Sequence, residues 1–244
     1  MFNFYTPLMK IDNYSNTTFT SLKYPIKPFI IKTPKGKLYC QEIDYKQQYD
    51  DMFFRNIGEF FLDIFAETSS HPFWVKCRKP NIDKRTYNNY VKSSANSYKK
   101  YFFDPDTTVL LVKNNKNKLV GAIYTRILDL NSILKDNKTL YIDSLAIKKE
   151  YRGLNIGKEI LTKVLNSSKE RFSEVFLVAY KESANFYKKL NFSNMNEKDP
   201  EQHFAIKKLV KERIDYPQYA DFMQKSLNNN ETDKWYCRIK KINI

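Results

Sequence analysis

Between Tyr45 and Ala66 the apolar residues Met52, Phe53, Ile57, Phe60, Phe61 and Ile64 recur at intervals of three and four. That interval stacks side chains along one side of an α-helix, and the cluster Ser69-Ser70-His71-Pro72 ends it. A less regular helical stretch runs from Tyr87 to Tyr101 and stops before Asp104-Pro105, because the residue before a proline is pushed out of the helical region. The pattern then changes to short β-branched and apolar runs. Thr108-Val109-Leu110-Leu111-Val112 is a strand, Asn114 to Asn117 its turn, and Leu119 to Leu128 the returning arm of an antiparallel hairpin. After a polar loop from Asn131 to Lys138, Leu140 to Ile147 is a third strand, which places Tyr141, Asp143, Leu145 and Ile147 on one face. A helix follows with Ile156, Ile160, Leu161, Val164 and Leu165 on one side, then a buried strand over Val175 to Ala179 and a short helix over Ser183 to Leu190. Phe204-Ala205-Ile206 and Trp235-Tyr236-Cys237 suggest strands, Tyr219 to Leu227 a helix, and Asn228 to Asn230 a polar break. Near the beginning, Phe29 to Lys32 and Leu38 to Cys40 form two short strands around Pro34-Lys35-Gly36.

This order of helices, hairpin, strand, helix, strand, helix, strand indicates a mixed α/β sheet. The expected organisation is an N-terminal extension over 1–37, a central domain over 38–210 and a C-terminal extension over 211–244. No run of eighteen or more apolar residues is present, which excludes a bilayer-spanning helix. Met1 to Lys10 lacks the basic, apolar and small-residue succession of a signal peptide, so the expected location is cytoplasmic.

The formal charge of +15 raises the question of an acidic partner. Lysines outnumber arginines 34 to 8 and are spread over the whole length, whereas a phosphate-reading face favours forked arginines. Nucleic-acid binding is therefore kept only as an alternative prompted by net charge. Cys40, Cys77 and Cys237 are odd in number and far apart, so free thiols are expected and a zinc site is not. With His71 and His203 as its two histidines, the chain is expected to hold no metal.

The segment with the most chemistry in it is the strand, turn and helix from Leu140 to Leu165. A glycine-bearing turn that opens a helix presents unpaired backbone N–H groups to an anion. No Gly-Lys-Ser/Thr follows it and no Gly-x-Gly-x-x-Gly is present, which removes the nucleotide-triphosphate and dinucleotide loops. Arg152-Gly153-Leu154-Asn155-Ile156-Gly157 instead resembles the pyrophosphate-binding motif Arg/Gln-x-x-Gly/Ala-x-Gly/Ala of the GNAT superfamily of N-acetyltransferases, with Leu145-Ala146-Ile147 as the preceding strand end. Asn155 stands where glycine is usual. Asparagine is the non-glycine residue that best tolerates a left-handed backbone. Downstream, Phe186-Tyr187-Lys188-Lys189-Leu190-Asn191-Phe192 is similar to the Phe-Tyr-x-x-x-Gly-Phe part of the family's Ala-x-x-Phe-Tyr-x-x-x-Gly-Phe, with Ala184 one position from the pattern's alanine and again with asparagine, Asn191, in place of glycine. Lys181 stands where the family often has a cofactor-contacting asparagine.

The resemblance implies a mostly antiparallel mixed sheet flanked by helices and an acetyl-CoA-dependent enzyme. Acetyl would pass directly to a primary amine, a small molecule or a protein, in a ternary complex. The cofactor would be held by Leu145, Ala146, Ile147, Arg152, Gly153, Leu154, Asn155, Ile156, Gly157, Lys158 and Tyr187. Backbone N–H groups of the strand end would polarise the thioester carbonyl. Tyr187 matches the tyrosine that donates a proton to the leaving sulfur, and Asp143, two residues before those N–H groups, is the candidate base, with Tyr141 second. Lys148, Lys149 and Lys158 would add attraction for the nucleotide. Phe73, Trp74 and Trp235 are aromatic candidates for an acceptor pocket. A non-catalytic CoA-binding module stays open as a second reading, and the oligomeric state is not legible.

Overall fold

Asp50 and Asp83 set the two long helices. The carboxylate of Asp50 accepts the N–H of Phe53 at 2.7 Å, and that of Asp83 accepts the N–H of Thr86 at 2.9 Å. Each satisfies an otherwise unpaired first-turn donor, the task of a helix N-cap. In the computed structural model α1 accordingly begins at Asp51 and runs Asp51–Thr68, and α3 runs Lys84–Phe102 with the short α2, Pro72–Lys76, between them. The structure describes residues 26–44, 47–68, 72–78, 82–104, 106–129, 138–172, 174–194 and 220–226. The expected strands at Phe204–Ile206 and Trp235–Cys237, the break at Asn228–Asn230, His71, His203 and residues 1–25 of the N-terminal extension lie outside these.

The strands are β1 Phe29–Thr33, β2 Gly36–Glu42, β3 Thr107–Asn114, β4 Leu119–Asp129, β5 Lys138–Ile147, β6 Glu174–Tyr180, β7 Ser193–Asn194 and β8 Ala220–Ser226. A 3-10 turn at Lys149–Tyr151 leads into α4, Ile156–Ser168, and α5 is Lys181–Lys188. The protein has the mixed α/β architecture expected, a mostly antiparallel sheet flanked by helices. It divides into two compact units that alternate along the chain.

The first unit comprises Lys23–Arg126 and Ile142–Ser168. Its strands lie in the order β1-β2-β3-β4-β5, with β1 to β4 antiparallel in the registers Ile31↔Leu38, Cys40↔Val112 and Leu111↔Ala122. Of the apolar residues whose spacing predicts α1, Ile57, Phe60, Phe61 and Ile64 are buried and Phe53 is half-buried, whereas Met52 in the first turn is 60% exposed and Phe54 is buried instead. Phe54, Ile57, Phe60, Phe61 and Ile64 form one core with Ala95 and Phe102 of α3 and with Val109, Leu111, Ala122, Tyr124 and Ala146 of the sheet. Aromatic rings fill it. Phe61 stacks on Tyr98 at 4.4 Å and Phe54 meets Phe102 edge-on at 5.3 Å. Gly58 lets the two helices cross closely, since a Cβ there would stand 2.6 Å from the backbone nitrogen of Ala95. A smaller cluster of Leu62, Ala66, Cys77, Tyr87 and Val91 continues the α1 to α3 interface, and Trp74 packs on it. Tyr87 donates its hydroxyl to Asp63 at 2.6 Å with Glu59 3.1 Å away, which fastens α3 to α1 by a polar contact as well.

The second unit contains the described parts of Ile127–Tyr141 and Lys169–Ile244. Here β6, β8 and β7 are successive antiparallel neighbours. Val175, Phe176, Leu177 and Ala179 are buried, and Tyr141 packs on the ring of Phe176 at 4.9 Å. The segment Tyr219–Leu227, expected as a helix, is corrected to a strand: Ala220–Ser226 pairs with Tyr180–Glu174 over seven consecutive residues. A ladder of that length satisfies backbone groups of β6 and β8 together, which outweighs the weak local preference of this stretch for helix.

Candidate functional site

The end of β5, the 3-10 turn, the loop and the start of α4 all belong to the first unit, so their mutual geometry is defined. Leu140, Ile142 and Ala146 are buried, whereas Tyr141, Asp143, Leu145 and Ile147 are half-buried. The strand end rests on β4, where Lys148 donates its N–H to the carbonyl of Val120 at 2.9 Å. Gly121 makes that approach possible, because a Cβ on it would lie 2.8 Å from Cδ1 of Ile147.

The turn is then clamped from three sides. Tyr151 and Arg152 donate their N–H groups back to Lys148 and Lys149 at 2.9 and 3.1 Å. Asn114 donates to the Tyr151 hydroxyl at 3.2 Å, and Lys35 from the β1–β2 turn bonds the carbonyl of Glu150 and stands over the Tyr151 ring at 5.4 Å. Arg152 turns its Nε back on the carbonyl of Ile147 at 2.9 Å and its Nη2 on Glu67 of α1 at 3.2 Å. Lys149 reaches the same carboxylate at 3.4 Å. The side chain of Arg152 thus ties the loop to the strand it leaves.

Two left-handed residues shape the loop itself, Gly153 at φ 77° and Asn155 at φ 59°. Asn155 begins the helix by accepting the N–H of Glu159 at 3.0 Å. The first-turn N–H groups of α4, from Ile156, Gly157 and Lys158, have no carbonyl one turn earlier within the helix. They carry the positive end of its dipole. A Cβ built on Gly153 meets nothing within 4 Å, so the loop is open on that side. An exposed loop, unpaired N–H groups at a helix start and a buried Ile156 beneath them suit a phosphate group.

Asp143 is held on both oxygens. Its Oδ1 pairs with Nη2 of Arg126 at 3.1 Å and its Oδ2 accepts the hydroxyl of Ser144 at 3.0 Å. Arg126 also lies over the ring of the buried Tyr124 at 5.5 Å. Neither Arg126, Glu67 nor Lys35 was marked by the sequence. They come from β4, α1 and the first hairpin, and no spacing links them to the loop.

Tyr187 lies in the second unit, on α5. Its ring packs between Phe186 at 5.0 Å and Phe192 at 5.6 Å, it is 7% exposed, and burial pushes its phenol well above the ordinary range. Asn191 follows at φ 63°, and the N–H of Phe192 closes the turn on the Tyr187 carbonyl at 3.1 Å. Trp74 packs on Phe65 at 5.3 Å in the first unit, while Phe73 and Trp235 have no described side chain. Cys40 and Cys77 are free and buried. Among the described residues no group of three acidic, histidine or cysteine side chains is placed to hold a metal, and no helix is long and apolar enough to cross a membrane.

A strand, a left-handed loop and a helix in this arrangement occur in more than one family, and the sequence decides between them. The family model for the acetyltransferase (GNAT) family matches residues 59–192, more than half of the 244-residue chain. The chain belongs to the GNAT acetyltransferase family. The match runs from the middle of α1 to the turn after α5 and contains the whole loop. The GNAT fold is also seen in solved structures. A GNAT-family acetyltransferase from Staphylococcus aureus Mu50 is similar at 21% identity and TM-score 0.50, over 78% of this chain and 99% of that one. A protein of Pyrococcus horikoshii OT3 is similar at 12% identity and TM-score 0.51, over 78% and 99%. The GNAT domain of PAT from S. lividans is similar at 6% identity and TM-score 0.50, over 82% and 96%. A search of curated proteins gives no match.

Proposed function

We propose that this GNAT protein is an N-acetyltransferase that moves acetyl from acetyl-CoA to a primary amine. The observation that carries the reading is the left-handed backbone at Asn155. Asn155 takes a backbone angle that a glycine would adopt freely, which supports a working loop over the alternative of a non-catalytic CoA-binding module.

In this reading the N–H groups of Ile156, Gly157 and Lys158 take the pyrophosphate, with Gly153, Leu154 and Asn155 shaping the cradle and Arg152 a cationic neighbour of the phosphates. The backbone of Leu145, Ala146 and Ile147 binds the pantetheine arm and polarises the thioester carbonyl. Acetyl-CoA supplies an activated acyl group with a good leaving thiolate. The amine must shed a proton before it attacks, and Asp143 is the proposed acceptor, with its carboxylate fixed by Arg126 and Ser144. Tyr187 is the proposed donor to the sulfur, and its burial favours the protonated phenol that this role needs.

The test is calorimetric titration with acetyl-CoA and CoA, alongside a Gly157→Glu variant that sets a carboxylate among the phosphate-facing N–H groups. Micromolar binding by the natural protein that disappears in the variant is the expected result. An amine panel read by free-thiol release then identifies the acceptor. Absence of binding by the natural protein would overturn the reading.

A further inference from the structure

Glu67 occupies a position that its own helix does not favour. It stands in the last turn of α1, where no basic residue is present, and a negative charge at that end opposes the helix dipole. Its compensation comes from the other side of the unit. The carboxylate bridges Lys149 at 3.4 Å and Arg152 at 3.2 Å, two cations on either side of the turn that delivers the loop. Loop shape does not depend on this bridge, because Arg152 holds the strand end through Nε and the Ile147 carbonyl, and Tyr151 is held by Asn114 and Lys35. What Glu67 adds is charge.

We propose that Glu67 is an internal competitor for the anionic cofactor: it neutralises Lys149 and Arg152 in the free protein and thereby sets a ceiling on affinity for acetyl-CoA. The proposal rests on the cofactor reading above. An arriving phosphate shares these cations with Glu67 instead of meeting them unpaired, so binding is weaker and release of the CoA product is faster than the loop alone would give. Glu67 is 41% exposed, Arg152 35% and Lys149 75%, so solvent screens the pairs and the effect is modest.

The experiment measures CoA and acetyl-CoA affinity over a range of salt concentrations for the natural protein, Glu67→Gln and Glu67→Asp. Each is also made in a Lys149→Gln/Arg152→Gln background, with thermal melts to confirm folding. Glu67→Gln should bind about two- to five-fold tighter at low salt, the size expected for releasing exposed ion pairs, and its affinity should fall more steeply with salt. Glu67→Asp, which keeps the charge, should not tighten. In the doubly substituted background the gain should vanish, which separates a local competition from a general change of net charge. Equal or weaker binding by Glu67→Gln, or a gain that persists without the two cations, would overturn the proposal alone. Failure of the natural protein to bind either compound would overturn the cofactor reading and this inference with it.

Discussion

Asn155 shows how much can rest on one backbone angle. Its φ of 59° is costly for most side chains, roughly 1–2 kcal/mol, and worse for a β-branched residue. Asn155→Val should therefore lower stability by about 2 kcal/mol and weaken cofactor binding, while Asn155→Gly should keep both. Chemical denaturation and titration of the same samples check this. Tyr187 is the other residue with a sharp expectation. Tyr187→Phe keeps the packing on Phe186 and Phe192 but removes the proposed proton donor, so kcat should fall roughly 10²-fold with little change in KM for acetyl-CoA. Because burial holds this phenol protonated, loss of its proton should not limit the rate on the alkaline side up to its ordinary value of 10.0. Steady-state rates across pH test it. The left-handed turns at Asn155 and Asn191 were legible in the sequence because their motifs are local. Glu67 and Arg126 were not legible, since their partners lie 85 residues away for Glu67 and on the neighbouring strand for Arg126.

Among the elements, the crossing of α1 on α3 is the tightest contact described. Gly58→Ala would gain about 1 kcal/mol of helix propensity. Its methyl would overlap backbone atoms of Ala95 at 2.6 and 2.9 Å and the carbonyl of Val91 at 2.9 Å, none of which can rotate away. Overpacking of this kind costs about 1–3 kcal/mol, so a net loss and a lower melting temperature are expected in thermal unfolding. The helix α1, the β3–β4 hairpin and the alternation in β5 could be read in advance, because apolar spacing, turn residues and β-branched content are local signals, even though β3 is buried on both faces over Thr107–Val112. The strand β8 could not. Its seven residues carry no decisive period, and their conformation is settled by the ladder with β6, some forty positions earlier in the chain.

On the scale of the whole molecule, the titrating groups buried in both units set an alkaline limit. Burial pushes Cys40 from 9.0 to about 12 and Cys77 from 9.0 to about 11. Tyr87 is raised by burial and by the Asp63 and Glu59 carboxylates, and Tyr187 by burial. Each folded value lies above the unfolded one. Below pH 9 both states keep these protons and no stability is lost, whereas above it the unfolded chain releases them first and folding weakens. Urea denaturation from neutral to strongly alkaline pH should show a plateau followed by a continuous fall, and a flat profile would contradict the buried placement of these groups. The family match over 59–192 marks how far the chain was legible at this scale. Of the strands outside it, β1 and β2 are legible as two short runs around Pro34-Lys35-Gly36, whereas β7 and β8 are known from the structure. The sequence has five glycines in 244 residues, and among the described residues three left-handed turns use asparagine, at Asn117, Asn155 and Asn191. An asparagine roams less than a glycine in the unfolded ensemble, and restricting that ensemble is worth about 0.4–1 kcal/mol per position. The loops that must coil the wrong way in the native state thus begin with less disorder to lose.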